Sequence, residues 1–218
     1  MFLAASCAQG ATQIEGLKAL LRLQPAGLQL TPGWFPVPGF RELLDRVRLP
    51  VRLHDGFSWT AYRRPVWGEG RLLLGRAGAG HSLHPPRRPW EGWLETAVQA
   101  GYAVEVMPPG RALSTAPELE RALELRAPLA LDIAHLHLLA LAGVSDRVLR
   151  RILDSPDVAE VHVSASDGRV DAHLPATRDS WLAGWALERK ADGVPLIVEC
   201  RFQGLDPGER ERALEAFR

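Results

Sequence analysis

VAEVHVSASDGRVDAHL, residues 158–174, is the stretch on which fold and chemistry both turn. Val161-His162-Val163 alternates as a strand does, so His162 leaves the sheet opposite its valine neighbours. Ser166-Asp167-Gly168 has turn chemistry and reverses the chain. Asp171 and His173 then stand two residues apart, side by side if that segment is extended. A histidine at a strand end followed by Asp-x-His is a pattern that can hold metal ions. Taken alone, the same groups would serve equally well to satisfy loop backbone. The rest of the chain decides between the two.

Working outward, strands are expected at Phe2–Ser6, Gly27–Leu30, Val51–His54, a short run into His84, Tyr102–Met107, Pro128–Ile133, Val158–Val163 and Val194–Cys200. Helices are expected at Ile14–Leu23, Phe40–Val47, Trp90–Ala100, Pro117–Leu125, Ser145–Leu153, Asp179–Ala191 and Asp206–Phe217. Pro117 suits a helix start, Ser145 an N-cap and Gly101 a helix end. Several strands are almost wholly apolar, as parallel strands covered by helices are. The alternation predicts one domain over residues 1–218, an α/β protein folded as a single (β/α)8 TIM barrel. The chain is compact for that fold, and the expected economy is a short or missing helix between strands three and four. Residues 55–80 read as irregular there, with at best a short element near Arg71–Leu74.

Composition narrows the function classes. The 218 residues carry a formal net charge of zero, so no global basic field draws in nucleic acid. Lys18 and Lys190 are the only lysines, and nearly all positive charge is arginine. Cys7 and Cys200 do not make a disulfide scaffold, and a cytoplasmic setting is the expectation. No apolar run approaches the roughly 18 residues of a membrane span. The opening MFLAASCAQG reads as a first strand rather than a signal, because it lacks a basic start and a long apolar core.

The acids and imidazoles fall at strand ends. His54, His84, Glu105, Asp132, His162 and Glu199 come from six consecutive strands, His135 follows Asp132 by one helical turn, and Asp171 and His173 follow strand seven. TIM barrels keep their chemistry at that end. Each residue has a plainer reading: His54 bonded to a carbonyl, His84 shaping the turn before Pro85-Pro86. Glu105 lies between valines, so its carboxylate must be paired, protonated or metal-bound. Asp132 in LALDIAHL and Glu199 in LIVEC follow the same logic. His81 and His137 are taken as structural or supporting. Arg52 and Glu160 each precede an inward histidine by two residues, and are expected to face inward and satisfy each other or the groups behind the ligands.

With VRLHDGF, HPP, AVEV, LDIAH, EVHVSASDGRVDAHLP and LIVEC in this order, the chain resembles the endonuclease IV and xylose-isomerase-like TIM-barrel superfamily. The matching pieces span residues 51–199. The resemblance implies nine ligands around up to three divalent ions, Zn, Mn or Fe. His54 and His84 would bind one metal and share Glu105 with a second. Asp132, His162 and Glu199 would complete the second, and His135, Asp171 and His173 would hold the third. The isomerase and epimerase branch keeps only Glu105, Asp132, His162 and Glu199 around one metal, with its two glutamates, here Glu105 and Glu199, moving protons.

Several ions sharing a carboxylate lower the pKa of bound water and hold charge on attacking and leaving oxygens. The implied activity is therefore phosphoester hydrolysis. The alternatives are single-metal sugar or sugar-phosphate isomerisation, and oxidative chemistry on the same cluster if the metal is iron. Arg201, two residues past Glu199, is a candidate phosphate holder. Phe57 and Trp59 are candidates to cap the mouth over a substrate. The loop after His173, LPATRDSW, lacks the glycine-rich continuation common in both branches, and long DNA-penetrating loops have little room. A small phosphorylated or sugar-like substrate is expected rather than duplex DNA.

Overall fold

A computed structural model describes residues 1–8, 13–31, 38–55, 80–86 and 92–218. Eight strands alternate with helices: β1 (Phe2–Ala4), β2 (Gly27–Leu30), β3 (Val51–Asp55), β4 (His81–Leu83), β5 (Ala103–Val106), β6 (Leu129–Asp132), β7 (Val158–Val163) and β8 (Leu196–Val198). All neighbours pair in parallel and β8 returns to β1, closing the barrel. The register sets His54 beside Ser82 and Asp132 beside His162. The expected α/β barrel is therefore the fold. The expectation of a short or missing helix between β3 and β4 falls on residues 56–79, outside the described residues.

Among the described residues there are eight α-helices: α1 (Gln13–Arg22), α2 (Phe40–Asp45), α3 (Trp93–Gln99), α4 (Ala116–Glu124), α5 (Ile133–Leu141), α6 (Asp146–Leu153), α7 (Trp181–Ala191) and α8 (Pro207–Glu215). In α6, Val148, Leu149, Ile152 and Leu153 are buried while Arg147, Arg150 and Arg151 are exposed, the amphipathic stripe of a barrel's outer helix. Ser145 is its N-cap residue, as expected, but its hydroxyl makes no cap bond. At α8, Asp206 and Glu209 form a reciprocal capping box ahead of Pro207. No described helix is long and apolar enough to cross a membrane.

Several boundaries depart from the sequence reading, and two of them bear on the site. The first strand stops at Ala4, and Ala5–Ala8 form a 3-10 turn. Strand six ends at Asp132 rather than Ile133, and Ile133 opens α5, a helix the sequence reading lacked. IAHLHLLAL is apolar around most of its circumference, so it has no amphipathic period to betray it. What starts the helix is Asp132, whose Oδ1 accepts the Ala134 N–H at 2.6 Å.

Alternation along the strands sorts the barrel's two faces. Val104, Val106, Leu129, Leu131, Val161, Val163, Leu196 and Val198 join the apolar core beneath the helices. The intervening positions, among them Gln29, Arg52, Ser82, Glu105, Glu160 and His162, are buried and polar. The barrel's inside is therefore built to hold charge. Closure depends on the β1–β8 seam, where fully buried Leu3 lies between Leu28 and Val198. Leu3→Ala is expected to lower the unfolding free energy by about 2–5 kcal/mol in urea titrations; a negligible loss would mean the seam is not closed.

Candidate metal centre

All nine histidines and acids singled out at the strand ends meet at one mouth of the barrel, and Glu105 is their centre. Its Oε2 lies 2.7 Å from His84 Nε2 and 3.2 Å from His54 Nε2. Its Oε1 faces the other way, 3.2 Å from His135 Nδ1 and 3.8 Å from His162 Nδ1. His162 Nδ1 is also 3.5 Å from Glu199. Asp171 Oδ2 joins the last pair, at 3.1 Å from both His135 Nε2 and His173 Nε2. The donors of Glu105, Asp132 and His162 lie within 4.8 Å of one another, as do those of Asp132, His173 and Glu199.

Three deeply buried imidazoles are tied from behind, which fixes the nitrogen each turns to its neighbours. His135 Nδ1 lies 2.9 Å from the Val106 carbonyl, which can only accept, so Nδ1 carries a proton and Nε2 points to Asp171. His54 Nδ1 is 2.9 Å from Ser82 Oγ, leaving Nε2 for Glu105 and His84. His162 is turned the opposite way. Its Nε2 meets Glu160 Oε1 at 2.7 Å, so Nδ1 faces Glu105 and Glu199. Ser164 Oγ donates to the Asp132 carboxylate, at 3.1 Å from Oδ2. Ser82, Ser164 and Gln29 are supports that the sequence reading missed. Their signal was a polar residue at an inward strand position or just past a strand end, without the acid or imidazole that draws the eye.

The loop after β7 brings in the third set. Ala165 and Leu174 exchange backbone hydrogen bonds of 2.8 Å, which pins the loop at its base. Asp167 Oδ1 accepts the N–H groups of Arg169 and Val170, so Ser166-Asp167-Gly168 does turn the chain. His173 holds a left-handed backbone, φ 48°, and its carbonyl accepts the Arg201 N–H at 2.9 Å. That conformation is sparsely populated away from glycine, and here it aims the imidazole at Asp171.

Electrostatics divides the histidines. Burial drives His54 down to about 3, against the pull of Glu105, so it is neutral. Burial also opposes charge on His135, but Asp132, the Asp171 hydrogen bond and Glu105 outweigh it and raise it to about 10. His173 is raised to about 9, chiefly by its bond to Asp171 once burial is overcome. His162 is held well above its ordinary value against burial, by the charge on Glu199 and by its contacts with Glu105 and Glu160. Glu199 is pushed up by burial and by the nearby Glu105 and Asp132 charges. Without a cation, protons on imidazoles neutralise the carboxylates.

The residues fit divalent cations. Zinc–nitrogen bonds of about 2.0–2.1 Å set tetrahedral ligand atoms roughly 3.3 Å apart. His54 Nε2, His84 Nε2 and Glu105 Oε2 stand 2.9, 2.7 and 3.2 Å apart, a slightly tighter triangle. His162 Nδ1 is buried with no hydrogen-bond partner among the described residues. A buried atom in that state is costly, and a cation would satisfy it. The donors are nitrogen and oxygen only, which suits Zn, Mn or Fe.

Other expected residues fall differently. Arg201 is exposed, tied to the rim through its backbone rather than through its guanidinium among the contacts described. Phe57 and Trp59 lie outside the described residues. Arg52 and Glu160 face inward and pair, Nε to Oε2 at 2.8 Å, as the two-residue spacing implied. His137 is exposed and bonds Ser166 Oγ, and His81 stacks edge-on against Tyr102 with centroids 4.8 Å apart. Both are supporting residues, as expected.

The raised imidazoles make cation binding pH-linked. A folded value above the ordinary 6.5 means that His135 and His173 stabilise the metal-free fold below about pH 6.5, and that this contribution is lost as pH rises through about 9–10. Ligation needs those protons gone. Zinc titration at pH 7 is expected to release protons, read as a buffer-dependent heat, with apparent affinity rising toward pH 9. A buffer-independent heat would show that His135 and His173 do not ligate. The chain matches no protein-family model and no curated protein, so its function is read from its own residues.

Proposed function

We propose that this protein is a multinuclear metal enzyme, with His54, His84, Glu105, Asp132, His135, His162, Asp171, His173 and Glu199 holding up to three divalent ions. The single observation that carries the reading is the two-sided Glu105 carboxylate, which has His54 and His84 beside Oε2 and His162 on the Oε1 side, where the donors of Glu105, Asp132 and His162 also gather. One carboxylate shared by separate donor sets is the arrangement a bridged cluster needs. It favours a cluster over the single-metal isomerase reading, which has no use for His54 and His84 as ligands. The proposal fits the resemblance to the endonuclease IV-like superfamily.

Bound divalent ions would supply Lewis acidity, lowering the pKa of water and stabilising charge on reacting oxygens. The reaction we assign first is hydrolysis of a small phosphoester. Glu105 orients the two donor sets on either side of it. Glu199, whose carboxyl burial pushes up, is the acid placed to pass a proton to a departing oxygen. Arg201 stands at the mouth, where a guanidinium could reach the charged end of a substrate.

A second reading, oxidation with iron, is favoured by a specific feature. His54, His84 and Glu105 form a two-imidazole, one-carboxylate set, and so do His135, His173 and Asp171. That donor set with open positions suits non-haem iron oxygenases.

Elemental analysis of protein purified without chelator is expected to give more than one ion per chain. His84→Ala and Asp171→Asn are each expected to lose a different ion. One ion per chain, retained in both variants, would overturn the cluster and leave the isomerase reading. Turnover of small phosphoesters with zinc or manganese, indifferent to oxygen, supports hydrolysis. Iron-dependent oxygen uptake without phosphoester turnover replaces it with oxidation.

A further inference from the structure

We propose that Glu160 is a positioning residue whose carboxylate, clamped by Arg52 and Gln29, locks His162 so that Nδ1 rather than Nε2 faces Glu105, Asp132 and Glu199. The inference rests on the metal reading of the barrel mouth and deepens it.

Glu160 precedes His162 by two residues on β7, so both side chains enter the barrel, Glu160 one layer deeper. It is fully buried. Its Oε1 accepts from His162 Nε2 at 2.7 Å and from Gln29 Nε2 at 3.0 Å. Its Oε2 accepts from Arg52 Nε at 2.8 Å and from the Arg52 Nη2 at 2.5 Å. Oε1 is thus held by two residues, and Oε2 by two nitrogens of one guanidinium.

Arg52 is held in turn. Its guanidinium stands 5.8 Å over the Phe2 ring, and it lies against Gly80, where a side-chain Cβ would come within 2.5 Å of it. Gly80 therefore leaves the space that the guanidinium fills. A buried Arg–Glu pair needs no histidine to be satisfied. Here the carboxylate nonetheless spends its shortest histidine contact on the back of the one imidazole that turns Nδ1 to the mouth. An imidazole without that acceptor could turn over and present carbon to the donors instead.

The test is zinc affinity, by competition with a chromophoric chelator, joined to nitrogen-15 spectra of the zinc-loaded protein. In the wild type, His162 is expected to show a zinc-bound Nδ1 and a protonated Nε2. Glu160→Leu keeps the approximate volume and removes both acceptor oxygens, one of which an amide would keep. It is expected to weaken one bound ion by about 10- to 100-fold. Glu160→Leu combined with His162→Ala should lose no more than His162→Ala alone, because Glu160 acts through that ring. Should Glu160→Leu fail to fold with Arg52 left unpaired, Arg52→Met with Glu160→Leu removes both charges and carries the same expectation. Unchanged affinity in a folded variant, or losses that add in the double variant, would overturn the positioning role alone. Absence of zinc binding by the wild type would overturn this inference together with the metal reading.

Discussion

Burying carboxylates inside a closed barrel is the constraint on which this structure depends. Glu105, Asp132, Glu160 and Glu199 are all nearly inaccessible to water, and an unpaired carboxylate there is costly enough to neutralise instead. Only Glu160 has an arginine in contact among the pairs described. Glu105 and Glu199 meet imidazoles, and Asp132 accepts from Ser164 Oγ and the Ala134 N–H. The polypeptide has therefore collected acids in a place where some positive charge must be supplied, by protons or by metal ions. The same arrangement explains the split among the histidines. His54 sits where burial wins and stays neutral, while His135 and His173 sit where acids win.

Much of this was legible in the sequence because a strand's period of two is unambiguous when valines flank an acid. AVEV and VHV each announce an inward charged or polar residue between outward apolar ones, and Arg52 and Glu160 could be matched to each other by the same count. The helix Ile133–Leu141 was not legible. A helix apolar on nearly every side carries no period, and its start is signalled by Asp132, a residue already spoken for as a ligand. Asp132 does both tasks at once, one oxygen on the Ala134 N–H and the carboxylate at the mouth. The direction of each imidazole was equally hidden, since it depends on Ser82 and the Val106 carbonyl, which come from other strands, and on a Glu160 carboxylate that Arg52 and Gln29 hold from across the barrel.

The candidate site combines rigid and adjustable parts. Glu105, Asp132 and His162 ride on strands whose outward neighbours are locked into the core, so their placement follows from the barrel itself. Asp171 and His173 ride on a loop pinned at its base by the Ala165–Leu174 bridge, and both remain partly exposed. A donor set on such a loop can tolerate replacement of its neighbours more easily than one on a strand. Differences in substrate or metal among proteins built this way would arise there first.

The closing of β8 onto β1 has a consequence for biogenesis. Glu199 immediately follows β8, and β8 must dock between β7 and β1 to complete the ring. A nascent chain that has already emerged past His173 therefore owns most of the donors but lacks both the last stave and its carboxylate. The complete donor set therefore forms only after β8 has been made and has docked between β7 and β1.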